Sequence, residues 1–151
     1  WLVWHSLTHC LESFTPWHIR LVQLTAADIS FMDVQTQCTC QGIRFNAAEP
    51  EAQVRYANIA RFLHLEGSTD AELVDALIAH IQNMNKQLDI PTCIKDYEGG
   101  IIDEKEFMEK LPTVAELAVG DACTGSNPRS INPEQMAKLL KCCYYDEEVD
   151  F

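Results

Sequence analysis

Apolar residues recur at the helical period over most of the chain beyond Asn46. Between Pro50 and Gly67 they stand at Val54, Ala57, Ile59, Ala60 and Leu63. Proline is favoured in the first turn of a helix and glycine just past its end. The pattern predicts a helix that starts near Pro50, stops at Gly67 and turns these apolar residues toward a core.

The next stretch, STDAELVDALIAHIQNMNKQLDIP, has stronger boundary signals. Thr69 and Glu72 have the spacing of a capping box, in which each side chain accepts a hydrogen bond from the other residue's backbone N–H. Pro91 ends the pattern. The stretch predicts a second helix with one apolar stripe at Leu73, Leu77, Ile81, Met84 and Leu88.

Three further helices are predicted in the last third of the chain. DEKEFMEKL (103–111) forms a short helix, another starts at Pro112, and Asn132 with Pro133 opens the last one, which runs to Tyr145. With short connections between these helices, residues 43–151 are predicted to form one all-α unit. Its core is expected to be packed by Leu63, Leu73, Leu77, Ile81, Leu117 and Leu140.

The first 45 residues lack this regularity. LTHCLESF (7–14) has room for one or two helical turns, and residues 15–42 show no cap signals around a polar run that holds Cys38 and Cys40. Local signals that conflict in this way are unusual in a sequence selected for one fold. An irregular segment is therefore predicted here, with Trp17 and Phe31 poorly packed.

Composition narrows the class of protein. With 151 residues, 47% of them hydrophobic, the chain is long enough for one domain with its own core. A net charge of −12 argues against nucleic acid or an anionic membrane as a partner. The seven cysteines are an odd number and include the adjacent pair Cys142 and Cys143, which indicates reduced thiols in a cytoplasmic protein. No apolar run reaches the roughly 18 residues that a spanning helix needs.

Two pairs of residues near the start suggest a metal, and each has a plainer interpretation. His5 and His9 are four residues apart, so on a helix both imidazoles face one side, although such pairs often occur without a metal. Cys38 and Cys40 are separated by one residue, whereas zinc-binding pairs are usually separated by two to four. A small zinc protein that uses these four side chains is one hypothesis.

Residues 121–129, DACTGSNPR, mix small residues with Asp121, Cys123, Asn127 and Arg129. By composition alone they form a capped loop between helices, because glycine, asparagine and proline are ordinary turn formers.

The same nine residues resemble the D-x-C-x-x-x-N-P-R signature of the iron-containing alcohol dehydrogenases. GIRFNA (42–47) resembles the family's I-R-Y-N-A segment, RYANIARFL (55–63) its next helix, and LDIPTCIKDY (88–97) its G-I-P segment. These segments follow the family's order over residues 42–145. The resemblance implies the family's C-terminal helical domain, of the dehydroquinate synthase-like fold, for residues 43–151.

The resemblance also implies a function: NAD(P)-dependent interconversion of small primary alcohols and aldehydes, by enzymes that are often homo-oligomers. A ferrous ion, or zinc in some members, acts as a Lewis acid on the alcohol oxygen while hydride passes to the nicotinamide. The loop residues Asp121, Cys123, Asn127 and Arg129 would then lie near the cleft. The chain has no Gly-rich phosphate loop, so no dinucleotide-binding residue is assigned and its own status as an enzyme stays open.

The beginning of the chain resembles the family's metal-binding helix. HSLTHCLES (5–13) is similar to D-A-L-T-H-A-I-E-S, so His9 matches a histidine ligand and His5 stands where the family has an aspartate ligand. Residues 1–13 are interpreted as a remnant of that helix. The family's two further histidine motifs, H-x-M-x-H and P-H-G-x-A-N-A, are missing, and residues 14–42 stand in their place.

A one-base shift of the reading frame would explain this gap. Shifted codons for FMDVQTQCTC (31–40) permit F-H-G-R-A-N-A-M-Y-L, and those for SFTPWH (13–18) permit V-H-A-M-A-H. Residues 14–42 are therefore hypothesised to be out of frame, in a truncated chain that is inactive alone and binds iron and NAD(P) poorly. The competing hypothesis is a non-enzymatic acidic helical module that binds another chain.

Overall fold

Five α-helices make up the part of the chain that the structure describes. The computed structural model describes residues 28–96, 103–122 and 124–151, with side chains from Cys38 onward. These ranges contain no strand, which confirms the predicted all-α class. The helices are α1 (Asp28–Ala47), α2 (Pro50–Phe62), α3 (Asp70–Gln87), α4 (Glu104–Gly120) and α5 (Pro133–Tyr145), and two 3₁₀ turns lie at Ile94–Asp96 and Thr124–Ser126.

The starts of α3 and α5 agree with the capping signals in the sequence. Thr69 Oγ1 accepts a 3.2 Å hydrogen bond from the Glu72 N–H, and the Glu72 carboxylate accepts one of 3.2 Å from the Thr69 N–H. Asn132 and Gln135 form the same reciprocal pair, at 2.8 and 3.2 Å. Each pair satisfies backbone N–H groups that the first turn of a helix leaves without a partner. Both predicted starts are confirmed.

Helix α1 corrects the prediction of an irregular segment. The prediction covered residues 14–42, yet the backbone from Asp28 onward is helical and continues to Ala47. Cys38, Cys40 and Phe45 are buried against neighbouring helices. Tertiary packing therefore stabilises a helix whose own sequence pattern is weak.

Several predictions for the start of the chain lie outside the described residues. These are the interpretation of residues 1–13 as a metal-helix remnant, the irregularity of residues 14–27, and the poor packing of Trp17 and Phe31, whose side chains are not described. They stay predictions.

Helix α4 corrects a second expectation. Two helices were expected to meet at Pro112, but one helix runs from Glu104 to Gly120. A proline inside a helix removes one intrahelical hydrogen bond, so another contribution must hold the two halves together. That contribution is a continuous face packed into the core, with Phe107 and Leu111 before the proline and Val114, Ala115 and Ala118 after it.

The helices form two packed pairs that α1 joins. α2 packs against α3, α4 packs against α5, and α1 contacts α2, α3 and α5. Smaller apolar clusters link α1 to α3 and α2 to α3. The largest cluster lies between α4, α5 and the end of α1, and consists of Phe45, Leu111, Val114, Ala115, Ala118, Ile131, Met136, Leu139 and Leu140.

The predicted core is correct for some leucines and wrong for others. Leu73, Leu77 and Leu140 are buried, as expected, and Ile81 is partly buried. Leu63 and Leu117 are 41% and 50% exposed. The sequence pattern marks these two positions as apolar, but no other helix in the described residues covers them.

Helix α2 shows why. Its buried residues are Ala52, Ala57 and Ala60, which let the α2 backbone lie close to α3. The larger residues Val54 and Ile59 are 44% and 47% exposed. The predicted stripe thus contains residues from two different faces of the helix. The end of the predicted α3 stripe is exposed as well, at Met84 and Leu88.

Candidate functional site

The signature loop, residues 121–129, leaves the end of α4 and begins with a tight turn. Thr124 is buried and its hydroxyl donates a 2.6 Å hydrogen bond to the Ala118 carbonyl in the last turns of α4. The Asn127 N–H then donates to the Thr124 carbonyl at 3.1 Å. Asp121, at the end of the helix, has extended backbone, and Cys123 lies outside the described residues. This turn directs the rest of the loop back toward α1.

Asn127 pairs with Asn46, 81 residues earlier in the chain. The Asn46 amide donates to Asn127 Oδ1 at 3.1 Å, and the Asn127 amide donates to Asn46 Oδ1 at 2.7 Å. The same Asn127 nitrogen donates to the Arg129 carbonyl at 2.6 Å. Asn46 is only 6% exposed, so these hydrogen bonds satisfy polar groups that water reaches poorly.

Arg129 holds three parts of the protein together. Its Nη1 donates to the Phe45 carbonyl at 2.8 Å and to the Phe151 carbonyl at 2.9 Å. Its guanidinium carbon lies 4.1 Å from the centre of the Phe45 ring, which is a cation–π contact. The Phe45 and Phe151 rings also contact each other, with centroids 6.0 Å apart.

The segment after α5 folds back along α1. Asp146 has a φ of 58°, in the left-handed region, which turns the chain at the end of the helix. Asp146 accepts a 3.0 Å hydrogen bond from the Gln41 amide, and Arg44 lies 4.0 Å from the Glu148 carboxylate. The segment thus reaches Phe151 with contacts to α1 along its length.

The buried thiols of α1 point into two different clusters. Cys38 packs with Ile94, Cys143 and Tyr144, whereas Cys40 packs with residues of α3. Two thiols in separate apolar clusters are poorly placed to share one metal ion. The positions of Cys38 and Cys40 therefore do not support the hypothesis of a small zinc protein. The other two residues of that hypothesis, His5 and His9, lie outside the described residues.

The buried thiols of Cys40 and Cys143 are held in the neutral form. Burial raises the pKa of the Cys40 thiol from its ordinary 9.0 to about 11. A hydrogen bond with the Cys38 thiol, together with burial, holds the pKa of Cys143 well above its usual range. Because the thiolate is the form that binds metals and attacks electrophiles, these groups are suited to a core.

The described residues do not fit the iron that the family name implies. Over residues 38–96, 103–122 and 124–151, no three His, Cys, Asp or Glu side chains lie together as metal ligands would. The candidate ligands His5 and His9 and the loop residue Cys123 fall outside these ranges. We therefore derive no catalytic step through a metal.

Sequence reasoning named two of the residues in this network and missed their partners. Asn127 and Arg129 were singled out by their motif, while Asn46 and Phe45 were quoted only as part of a resembling segment. An asparagine and an aromatic residue at the end of a helix are too common to indicate a contact across 81 residues. The remaining partner, Phe151, has no sequence signal.

Among the described helices, none is both long enough and apolar enough to cross a membrane.

Known proteins are similar to this chain over the same helices and the same signature loop. The profile of the family described as "Fe-containing alcohol dehydrogenase family, C-terminal" matches residues 25–144. The match takes in α1 and continues almost to the end of α5, including the signature loop.

Individual relatives agree with this match. The chain is 47% identical over 109 residues to an NADPH-dependent butanol dehydrogenase of Clostridium saccharobutylicum, which covers 72% of this chain and 27% of the relative. It is 41% identical over 95 residues to an aldehyde-alcohol dehydrogenase of Clostridium acetobutylicum, covering 63% of this chain and 11% of the relative. A 1-propanol dehydrogenase of Citrobacter freundii is 31% identical over 101 residues, which covers 66% of this chain and 26% of the relative.

The aligned part of this chain thus spans about a quarter or less of the length of these relatives. The family match, however, covers most of the chain and includes the helices and the loop that the structure shows packed together. The chain belongs to the iron-containing alcohol dehydrogenase family and has the all-α fold of that family's C-terminal domain.

Proposed function

We propose that this chain serves as the C-terminal helical domain of an enzyme that interconverts primary alcohols and aldehydes with NAD or NADP. The family match over residues 25–144 is the observation that carries this proposal. Relatives named butanol dehydrogenase and 1-propanol dehydrogenase favour short primary alcohols as the substrate class. The signature loop supports it too, because Asn127 and Arg129 contact the GIRFNA segment that also resembles the family.

The described residues contribute a scaffold in this proposal and no chemical step. Their helices and loop are held by buried apolar side chains and by hydrogen bonds within the domain. The iron of the family would supply Lewis-acid activation of the alcohol oxygen, and the nicotinamide would accept the hydride. His9, with His5 at the aspartate position, stays the proposed remnant of the metal site, and Asp121, Cys123, Asn127 and Arg129 stay the proposed cleft loop.

We further propose that the 151 residues alone do not oxidise alcohols. Hydride transfer requires the nicotinamide to be held close to the alcohol carbon in a productive orientation. The described residues form no parallel strands with a glycine-rich loop, which is the usual cradle for a dinucleotide. His5 and His9 alone would leave most of the coordination shell of iron to water.

The experiment is an alcohol oxidation assay on the purified chain. The chain is incubated with ferrous iron, 1-butanol and either NAD or NADP, and formation of the reduced cofactor is followed by absorbance. No turnover is expected. A full-length version, with the shifted frame of residues 14–42 restored and the missing family segments joined, is expected to bind iron and turn over. Turnover by the 151-residue chain would contradict the inactivity, and an inactive but iron-loaded full-length version would contradict the dehydrogenase function.

The frame-shift hypothesis for residues 14–42 stays a prediction. The family match begins at residue 25, inside this segment. Residues 14–24 lie outside the match. The coding DNA of residues 14–42 decides the question, since a restored frame must reproduce both histidine motifs. The predicted cytoplasmic location and homo-oligomeric state are likewise still predictions.

One observation favours the alternative of a non-enzymatic module that binds another chain. Phe62 at the end of α2 is 82% exposed and Leu88 after α3 is 66% exposed, which is unusual for large apolar side chains. If this alternative holds, the restored full-length version stays inactive, and Phe62→Ser weakens binding to a partner chain without changing the stability of the fold.

A further inference from the structure

The signature residues Asn127 and Arg129 both reach the same point, the C-terminal end of helix α1. Asn127 contacts Asn46 at 2.7 and 3.1 Å, and Arg129 contacts the Phe45 carbonyl at 2.8 Å. Pro128 stands between them with its fixed φ, which limits how the two side chains can move relative to each other. The two contacts therefore act on two successive residues of one helical turn.

The contact from Arg129 satisfies a group that the helix itself leaves open. The last four carbonyls of an α-helix have no intrahelical donor, and α1 ends at Ala47, so the Phe45 carbonyl is one of them. The guanidinium supplies that donor, and its positive charge is favourable at the negative end of the helix dipole. Its face is covered by the Phe45 ring at 4.1 Å, so both the carbonyl and the side chain of Phe45 are held.

The contact from Asn127 fixes the orientation of the Asn46 side chain. A reciprocal amide pair requires the two planar groups to face each other, so Asn46 must point toward the loop. Because successive residues of a helix are turned by about 100° from each other, holding Phe45 and Asn46 together restricts rotation of α1 as well as sliding along its axis.

We propose that Asn127 and Arg129 are positioning residues that lock the end of α1 against α4 and α5, so that α1 can neither rotate about its axis nor slide along it. A 20-residue helix is about 30 Å long and moves nearly as a rod, so a lock at one end also sets where the other end lies.

The competing role for Arg129 is direct binding of an anion, such as a phosphate of the dinucleotide. That role needs donors that are free to reach a ligand. Here Nη1 is shared by two carbonyls and one face of the guanidinium lies on Phe45, which leaves only Nε and Nη2 to reach an anion. Both amide protons of Asn127 are also used, by Asn46 and by the Arg129 carbonyl.

The test is hydrogen–deuterium exchange of the full 151-residue chain, measured by peptide without any cofactor. Arg129→Lys keeps the charge but removes the planar guanidinium, whose Nη1 donates to both carbonyls and whose face lies on the Phe45 ring. It is expected to speed exchange of the amides of residues 43–47 by about tenfold or more, because hydrogen bonds from a charged donor are among the stronger ones. Exchange in the middle of α3 is expected to stay within about twofold of wild type, because that helix lies outside the lock. Arg55→Lys, at an exposed arginine of α2, is the matched control.

A second variant gives a pH readout that a general loss of packing would not produce. In Asn127→Asp the ionised carboxylate cannot donate to Asn46, whereas the protonated acid retains one donor. The ratio of variant to wild-type exchange over residues 43–47 is therefore expected to rise with pH between about 4 and 8. Asn83→Asp, at an exposed asparagine of α3, is expected to show no such rise.

Three results would overturn the lock. The first is that Arg129→Lys leaves exchange of residues 43–47 unchanged, and the second is that it speeds exchange equally in all five helices. The third is that the wild-type chain binds ADP-ribose in calorimetry and Arg129→Lys abolishes this binding while exchange of residues 43–47 stays unchanged. Since the exchange is measured without substrate, a chain without turnover can still show the lock, and an active enzyme can lack it.

Discussion

Replacing Gly67 by alanine would place a methyl group against the start of helix α3. The new Cβ would lie 2.9 Å from Leu73 Cγ, 3.0 Å from the Leu73 backbone nitrogen and 3.1 Å from Leu73 Cδ2. Leu73 is 3% exposed, and its N–H donates to the Thr69 carbonyl at 3.0 Å in the first turn of α3. Neither the side chain nor the backbone of Leu73 can move aside without losing core packing or the capped helix start.

The size of the effect follows from this crowding. Forcing one extra methyl group into a packed site costs about 1–3 kcal/mol. For a domain of this size each kcal/mol changes the melting temperature by roughly 2–4 °C, so Gly67→Ala should lower it by about 2–12 °C. Gly120→Ala is the matched control, since its Cβ would meet no atom within 4 Å at the last residue of α4. Alanine restricts the unfolded chain more than glycine does, so this variant should gain about 0.4–1 kcal/mol.

The assay is thermal and urea unfolding of the 151-residue chain, followed by circular dichroism at the helical band. Wild type, Gly67→Ala and Gly120→Ala are compared under one buffer condition, and the urea slopes show whether the unfolded states are comparable. A melting temperature for Gly67→Ala equal to or above that of wild type would refute the reasoning. So would a loss of stability in Gly120→Ala as large as that in Gly67→Ala, because crowding would then not be the cause.

Three further predictions use the same unfolding assay, and they concern core packing, the Cys40 thiol and the cap of helix α3. Leu77→Ala should cost about 2–5 kcal/mol, because Leu77 is 4% exposed. Leu117→Ala should stay within about 0.5 kcal/mol of wild type, because Leu117 is 50% exposed; equal losses in the two variants would show that Leu117 is covered. The Cys40 pKa is raised from 9.0 to about 11 in the folded chain, so the stability from its neutral thiol is complete below pH 9 and is lost as pH rises to about 11. Cys40→Ala should therefore have a flatter decline of unfolding free energy over this range, and an unchanged slope would mean that other groups cause the decline. Thr69→Ala should lose about 0.5–2 kcal/mol through its cap, and an unchanged urea midpoint would show that the capping box contributes nothing.

The features that sequence reasoning predicted correctly depend on residues close together in the chain. The capping pairs Thr69–Glu72 and Asn132–Gln135 join residues three apart, so their hydrogen bonds can be inferred before any tertiary contact is known. Proline at the start of α2 and α5 acts through its own backbone angle. Local physics of this kind is sufficient to predict an all-α unit.

The errors have one physical source, which is that burial is decided by the neighbouring helices. Leu73 and Leu63 are both leucines at helical spacing, yet only Leu73 lies opposite the alanine face of α2. Helix α1 has a polar sequence around Cys38 and Cys40, and forms because α3 and α5 cover these residues. Pro112 lies inside α4 because the helix packs into the core on both sides of it.

The site shows the same division. The residues of DACTGSNPR and their resemblance to a family motif can be read from the sequence, and so can the turn that glycine and proline favour. The sequence does not show that Asn127 pairs with Asn46, or that Arg129 binds the Phe45 and Phe151 carbonyls. The sequence by itself determined where helices start and which family the chain resembles, because both depend on local order. Only the tertiary structure decided which faces are buried, because burial depends on which helices pack against each other. It also decided what the signature holds, because those contacts join residues more than 80 positions apart.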